Sequence, residues 1–114
     1  MKGFIITYNP YDNNSRVSFH HILFGRIMYR SYRGKKYAYY VQGMLDKTPF
    51  MRIMDSKIFV RNLENINFEE LRIMAEVSKE EHEYDLFPEN LKTGEEYWAS
   101  FANKKGLTIR VRKI

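Results

Sequence analysis

Residues 26–45 read RIMYRSYRGKKYAYYVQGML, and this stretch decides the fold. Two tyrosine-rich runs, 26–33 and 36–45, flank the dipeptide Gly34-Lys35. Tyrosine favours strands because its ring packs against neighbours across a pleated surface. A two-residue loop that begins with glycine is typical of a type II′ turn between antiparallel strands. The stretch therefore predicts a β-hairpin.

The predicted hairpin has one basic and aromatic face. The turn implies that Tyr32 lies opposite Tyr37 and that Arg30 lies opposite Tyr39, and alternate residues of a strand share a face. Arginine makes bidentate contacts with phosphate, and tyrosine rings offer surfaces on which bases stack. The residues predicted on this face or at its turn are Arg26, Arg30, Tyr32, Arg33, Lys35, Lys36, Tyr37 and Tyr39.

The C-terminal residues 107–113, LTIRVRK, predict a second basic strand. Apolar residues occupy one face of this strand, Arg110 and Arg112 occupy the other, and Lys113 follows. A sheet that covers its core with one face would expose these cations on the other. Arg52, on a predicted strand of the same sheet, could extend the cationic surface.

The segment before this strand fits two structures. Tyr97, Ala99 and Phe101 alternate with other residues, which favours a strand that pairs with 107–113 in a hairpin. Residues 93–96, Thr-Gly-Glu-Glu, are also typical of a helix N-terminus. We expect the hairpin and keep the helix as the alternative.

The rest of the chain predicts a mixture of strands and helices. Further strands are predicted at 2–8, 50–54 and 57–60, a helix at 16–24 between Ser15 as its cap and Gly25 as its end, and a helix at 68–78 capped by Asn67. The 114 residues are expected to form a single α+β domain, residues 1–114, in which a mainly antiparallel sheet carries one or two helices packed on one face.

Charge is sorted into three blocks along the chain. Residues 1–61 carry eleven Lys or Arg against three Asp or Glu, residues 62–96 carry three against eleven, and residues 97–114 carry five against none. The formal net charge of +5 therefore understates how strongly the ends of the chain differ from its middle. A basic surface of this kind is the electrostatic footprint of a nucleic-acid-binding protein.

The arginine and tyrosine pattern predicts a non-enzymatic protein that binds DNA or RNA. Stacking planes beside arginines suit single-stranded or irregular nucleic acid better than a regular duplex groove. The alternative is an ordinary solvated sheet, in which tyrosines pair across strands and lysines protect the edges from aggregation. None of the standard short motifs of nucleic-acid-binding domains is present.

The acidic block, 62–96, has three interpretations. It is predicted to lie mostly on one helix and the residues after it, where it could simply face solvent. It could instead meet the basic block of a second copy, which predicts a homodimer held by complementary charges. It could also orient a bound polyanion by repelling it from one side of the molecule.

Catalytic chemistry has little support in the sequence. The absence of cysteine excludes thiolate catalysis and cysteine-based zinc sites. His20 and His21 are neighbours, so on a strand they would point to opposite faces and could not share a metal. Asp46 and Asp55 lie in predicted turns, and a metal-dependent nuclease that uses Asp46, Asp55 or the pair His20 and His21 is the third hypothesis. We predict no catalytic residue, metal or cofactor.

The chain is expected to work in the cytoplasm and away from membranes. The N-terminal apolar run ends at residue 8 and is too short for a signal peptide. No stretch approaches the roughly 20 apolar residues that cross a bilayer. No membrane partner is therefore predicted.

The whole chain is rich in tyrosine and lysine and free of cysteine, and its most characteristic stretch is residues 8–26. In this it resembles small proteins of the rod-shaped viruses that infect hot-spring archaea. The resemblance implies the cytoplasm of an infected cell and a heat-stable fold. It assigns no activity and no functional residue.

Overall fold

Helices and strands follow one another along most of the chain. The structure, a computed structural model, describes the backbone of residues 1–104 and 109–112 and the side chains of residues 1–102 and 104. The strands are β1 (Lys2–Pro10), β2 (Arg26–Tyr32), β3 (Lys35–Val41), β4 (Phe50–Met54), β5 (Lys57–Val60), β6 (Ala75–Glu83) and β7 (Ile109–Arg112). The helices are α1 (Asn13–Phe24), α2 (Phe68–Met74) and α3 (Gly94–Lys104), with a 3₁₀ turn at Pro88–Asn90.

The strands form two sheets. The core sheet is antiparallel and has the order β4-β5-β1-β6. The hairpin sheet has the order β2-β3-β7, in which β2 and β3 are antiparallel and β7 is parallel to β3. The predicted α+β class and the mainly antiparallel pairing are confirmed. The division of the strands into two sheets was not predicted.

Helices α1 and α2 pack on one face of the core sheet. Ile6 of β1 and Ile58 of β5 pack with Phe19 and Leu23 of α1 and with Leu71 of α2, and all five side chains are fully buried. Burying a side chain of this size stabilises the folded state by roughly 1.5–3 kcal/mol. This layer of helices on a sheet therefore contributes most of the apolar burial.

Helix α1 begins earlier than predicted and ends where predicted. Its N-cap is Asp12 and not Ser15, because the Asp12 carboxylate accepts the Ser15 N–H at 2.7 Å. The same hydrogen bond lowers the pKa of Asp12. At the other end, Gly25 has φ 77° and ψ −169°, a backbone conformation that is essentially restricted to glycine. This glycine turns the chain from α1 into β2.

The residues after α2 form a strand, so the predicted helix at 68–78 is wrong beyond Met74. Strand β6 pairs antiparallel with β1 along all nine residues of each strand. Glutamate and lysine favour helices, but this intrinsic preference amounts to only a few tenths of a kcal/mol per residue. Pairing with β1 outweighs it, and four of the eleven acidic residues of the acidic block lie on this strand.

Residues 94–104 form α3, so the predicted strand at 97–101 is wrong and the alternative helix is confirmed. Thr93 Oγ1 accepts the Glu96 N–H at 3.2 Å, and Glu96 Oε1 accepts the Thr93 N–H at 3.4 Å. This reciprocal pair is a capping box. Just before it, Lys92 and Phe50 exchange two backbone hydrogen bonds of 2.9 and 3.0 Å. These bonds fix the start of α3 beside β4.

Candidate nucleic-acid interface

The hairpin turn is Arg33-Gly34, one residue earlier than predicted. Both residues have positive φ, 51° and 76°, as a type I′ turn requires. In the resulting register Arg30 lies opposite Tyr37 and not opposite Tyr39. The residue paired with Arg30 is thus displaced by two positions. Because side chains alternate between the faces of a strand with period two, this shift leaves every side chain on its predicted face. The predicted register is therefore wrong, but the predicted face is retained.

One face of the hairpin sheet is open, basic and aromatic, and is called the basic face. It is formed by Arg26, Met28, Arg30, Tyr32, Lys35, Tyr37 and Tyr39. These side chains are exposed or half-buried, and Tyr32 is 62% exposed. The structure thus brings six of the predicted site residues onto one surface, with Arg33 beside it in the turn.

Two arginines stack on tyrosines of the basic face. The Arg30 guanidinium lies 6.0 Å from the centre of the Tyr39 ring, and that of Arg33 lies 5.2 Å from the centre of the Tyr32 ring. Cation–π contacts of this kind orient a guanidinium, whose donors lie in its plane and match the oxygens of a phosphate. The arrangement can therefore offer a stacking ring and an anion-binding group side by side.

On the reverse side of the hairpin sheet, Tyr29, Ser31 and Lys36 near the tip are exposed, and only the part next to α3 is covered. Ala38 and Tyr40 are fully buried there. Gly94 of α3 packs close to the Tyr40 hydroxyl, and Trp98 Nε1–H donates to the Phe24 carbonyl at 2.8 Å. Lys36 alternates with Ala38 on this side, at the exposed tip of the hairpin. Lys36 therefore does not join the basic face, although it was predicted at its turn.

Strand β7 lies next to the hairpin, so the two basic strands are neighbours. Its backbone register puts Arg110 beside Tyr39 and Arg112 beside Val41. The predicted partner of this strand, 97–101, is wrong, because β7 pairs in parallel with β3. Lys113 lies outside the described residues.

Arg52 does not extend the basic face, because β4 belongs to the core sheet. Its guanidinium lies 5.0 Å from the centre of the Phe24 ring and donates to the Asp55 carbonyl at 3.4 Å. It lines a cleft together with Arg26, the first residue of β2. The structure therefore brings these two predicted arginines together at a different place.

This aromatic cleft has a volume of about 540 Å³ and separates the start of β2 from α3. Its aromatic walls are Phe24, Tyr29, Tyr97, Trp98 and Phe101. Its basic side chains are His20, His21, Arg26 and Arg52. This site was not predicted, because a strand was expected where α3 lies. Tyr97, Trp98 and Phe101 have the spacing of one helix face, and this signal could have found it.

The histidines of the cleft lie in a cationic environment. Burial lowers the pKa of His20, and the charges of Arg52 and Arg16 lower it further. Burial and the charge of Arg26 lower the pKa of His21. An anion in the cleft would offset the positive charge that disfavours both protonated histidines.

The residues proposed for a metal-dependent nuclease are not assembled. Asp46 is buried and accepts a hydrogen bond from Gln42 Nε2 at 3.0 Å, whereas Asp55 is exposed in the turn between β4 and β5. Among the described residues, no group of three or more histidine or carboxylate side chains could hold a metal ion. The nuclease hypothesis gains no support from this geometry.

Four of the eleven acidic residues of the acidic block lie on β6, at one edge of the core sheet, and Glu69 and Glu70 lie on α2. The acidic edge consists of the exposed residues Glu76, Glu80, Glu81 and Glu83 of β6. Because β6 is the last strand of its sheet, one side of its backbone is not paired within the core sheet. Strand β2 has the same position in the hairpin sheet and carries Arg26 and Arg30.

Comparisons with known proteins do not identify the chain. No protein-family model, curated protein or solved structure matches it. None of the helices that the structure describes has the length and apolar character needed to span a bilayer.

Proposed function

We propose that this protein binds single-stranded DNA or RNA on the basic face and catalyses no reaction. The observation that carries the proposal is the alternation of arginine and tyrosine on an open sheet face, which is backed by the buried Ala38 and Tyr40 on the reverse side. Arg30 and Arg33 supply phosphate-binding groups next to the rings of Tyr39 and Tyr32. Together these are the two components of a sequence-tolerant surface for single strands.

A single strand fits this surface better than a duplex does. In a duplex the base faces are stacked on one another, so the tyrosine rings would have no partner. In a single strand every base offers a face, and stacking contributes about 1–3 kcal/mol per base. The backbone register of β7 adds Arg110 and Arg112 next to β3, which widens the basic region beyond the hairpin.

Fluorescence anisotropy with a labelled 20-nucleotide single strand, and with the same sequence as a duplex, tests the proposal. Four cations of the hairpin, Arg26, Arg30, Arg33 and Lys35, predict that log K falls with log salt with a slope of about −3 for a single strand. The duplex should bind more weakly at each salt concentration. Absence of binding at micromolar protein, or binding indifferent to salt, would refute the proposal.

Arg30→Gln provides the sharpest variant, with Arg61→Gln as its matched control. Arg30 is exposed on the basic face, so its loss should reduce the salt slope by about 0.7 without unfolding the protein. Arg61 is also exposed but lies in a groove with Glu81 and Glu83, away from the hairpin sheet. Equal losses in the two variants would point to nonspecific attraction by net charge.

A second candidate function is self-assembly, in which the acidic edge of one copy pairs with β2 of another. Both strands are at the ends of their sheets. Glu76 and Glu80 have the same four-residue spacing as Arg26 and Arg30, so parallel pairing would put each glutamate opposite an arginine. Because the two surfaces differ, such a contact is head-to-tail and can continue into longer assemblies.

Light scattering after size exclusion, at low and high salt, tests self-assembly. We expect oligomers that dissociate as salt rises, because screening weakens exposed charge pairs. Glu80→Lys and Arg30→Glu should each abolish assembly, and an equal mixture of the two variants should restore assemblies in which the variants alternate. A monomer at every salt and protein concentration contradicts this second function.

The resemblance to small proteins of archaeal rod-shaped viruses remains a prediction, as do the cytoplasm of an infected cell and the heat stability that it implies. A nucleic-acid-binding role is compatible with that setting. Thermal unfolding monitored by circular dichroism would test the expected heat stability directly.

A further inference from the structure

The aromatic cleft lies next to the basic face. The two surfaces share Arg26, which is the first residue of β2 and also lines the cleft. The cleft volume of about 540 Å³ lies within the range of roughly 300–1,000 Å³ that small-molecule sites occupy. It is therefore large enough for one small aromatic ligand.

The walls of the cleft are held in place by contacts within the protein. Trp98 Nε1–H donates to the Phe24 carbonyl at 2.8 Å, and the Trp98 ring packs edge-on against Tyr97 and Phe101 at 5.1 and 5.8 Å between centres. Phe101 nevertheless stays 39% exposed and Tyr29 51% exposed. Fixed rings that remain accessible are suited to stacking with a flat ligand.

The charge of the cleft selects an anionic ligand. Arg26 and Arg52 line it, and no carboxylate does so among the described residues. Arg52 stacks on Phe24 and uses one donor on the Asp55 carbonyl, which fixes the guanidinium and leaves further N–H groups for a ligand. The site thus combines apolar rings with two cations, which complements a base that carries a phosphate.

We infer that the aromatic cleft binds a single nucleotide, with its base against Trp98 and Phe101 and its phosphate at Arg26 and Arg52. Where the nucleotide belongs to a strand on the basic face, the inference rests on the proposed function. In that case the cleft receives one unstacked nucleotide of the bound strand. A free nucleoside monophosphate has the same chemistry and is the other source.

Trp98 is the only tryptophan of the chain, so its fluorescence reports directly on this cleft. The experiment titrates the protein with adenosine monophosphate and, separately, with a single-stranded 20-mer. N-acetyltryptophanamide corrects for absorbance by the ligand. Upfield ring-current shifts of the adenine protons provide a second measurement. We expect quenching and shifts that saturate with at least one of the two ligands.

Three variants assign the signal to the cleft. Arg52→Gln removes the phosphate contact, and Phe101→Leu keeps an apolar side chain while removing the ring. Each variant should lower the affinity for the ligand that quenches Trp98 about tenfold. Arg61→Gln is the control and should change nothing in the cleft. Circular dichroism verifies that the variants are folded, as expected from the exposure of both side chains.

The outcomes separate this inference from the proposed function. Suppose that anisotropy shows binding of the 20-mer, that Trp98 fluorescence does not change, and that Arg52→Gln and Phe101→Leu bind as tightly as the unaltered protein. The inference is then overturned, and the proposed binding on the basic face still stands. If the monophosphate binds and the 20-mer does not, the cleft is a free-nucleotide site and the proposed function fails. Quenching by the 20-mer alone supports the strand as the source. Absence of binding by both ligands overturns both proposals.

Discussion

The two sheets of this protein are built differently. In the core sheet, Ile6 and Tyr8 of β1 and Ile58 and Val60 of β5 are buried on the face that packs against α1 and α2. In the hairpin sheet, every residue of 29–36 is exposed. The radius of gyration of 15.0 Å, against about 13 Å expected for this length, agrees with a hairpin that extends from the body. We infer that the core sheet supplies stability and leaves the hairpin surface to carry function.

The sheets meet at a junction that has no room for larger side chains. Gly25 follows α1 and Gly43 follows β3. A side chain at Gly25 would collide with the backbone near Gly43, and a side chain at Gly43 would collide with the backbone near Gly25. The Met44 and Leu45 N–H groups donate to carbonyls at the end of α1, at 2.8 and 3.0 Å. The orientation of the hairpin sheet relative to the core sheet therefore depends on this close contact.

The largest expected effect tests whether stability resides in the core sheet. Phe19→Ala empties a fully buried position, so it should lower the free energy of unfolding by about 3–5 kcal/mol. Tyr32→Ala, on the exposed hairpin, should change it by less than about 0.5 kcal/mol. Urea unfolding measures both variants. Similar losses would show that the hairpin is part of the stability core.

The second prediction compares two glycines with nearly the same φ, 77° at Gly25 and 76° at Gly34. Alanine at Gly34 meets nothing within 4 Å, so only backbone strain of about 1 kcal/mol is expected. Alanine at Gly25 adds collisions with the Val41 backbone and the Tyr40 ring, so the loss should exceed about 2 kcal/mol. Equal losses in urea unfolding would mean that the junction can relax.

The two regions also differ in how much of them the sequence predicts. The basic face was predicted because tyrosine and arginine alternate with period two, and that period survives a register error of two residues. The turn type was not predicted, since Gly34 fits the second position of a type I′ turn only if Arg33 also adopts positive φ. Local composition does not reveal that Arg33 accepts this conformation.

The two errors in the second half of the chain have different physical causes. Residues 76–83 have helix-forming composition but pair with β1, which lies more than 65 positions away in sequence, so a long-range contact decides their structure. Residues 97–101 alternate like a strand but follow a local capping box that starts α3. The aromatic cleft needs both sheets and α3 at once, so the helix-face spacing of Tyr97, Trp98 and Phe101 indicates its aromatic wall but not its other walls.

The third prediction concerns pH. The pKa of His20 in the folded state is lowered from 6.5, so the folded protein binds this proton less strongly than the unfolded chain does. The free energy of unfolding therefore keeps the full contribution of neutral His20 above about pH 7.5 and loses it as the pH falls through 6.5. Urea unfolding between pH 7.5 and 5.5 should show this loss, and His20→Gln should reduce it. His82→Gln, which changes an exposed histidine of β6, is the control and should preserve the loss.

A pH slope that His20→Gln does not change would contradict the burial of this ring against Tyr8 and Phe24. His21 contributes in the same direction, so some of the loss should remain in the single variant. A ligand anion in the aromatic cleft should reduce the loss further, because it stabilises the protonated rings.

The smallest expected effect separates stability from binding at a single position. Arg33 has φ 51°, a left-handed conformation that asparagine tolerates better than arginine does, and Asn-Gly is the preferred type I′ sequence. Arg33→Asn should therefore raise the free energy of unfolding by about 0.5 kcal/mol. It also removes the cation stacked on Tyr32, so the salt slope of oligonucleotide binding should fall by about 0.7. Arg33→Lys keeps the charge and the backbone strain, so it should change neither quantity. If Arg33→Asn stabilises the hairpin and binds the strand as well as before, the turn lies outside the interface and the basic face ends at Tyr32.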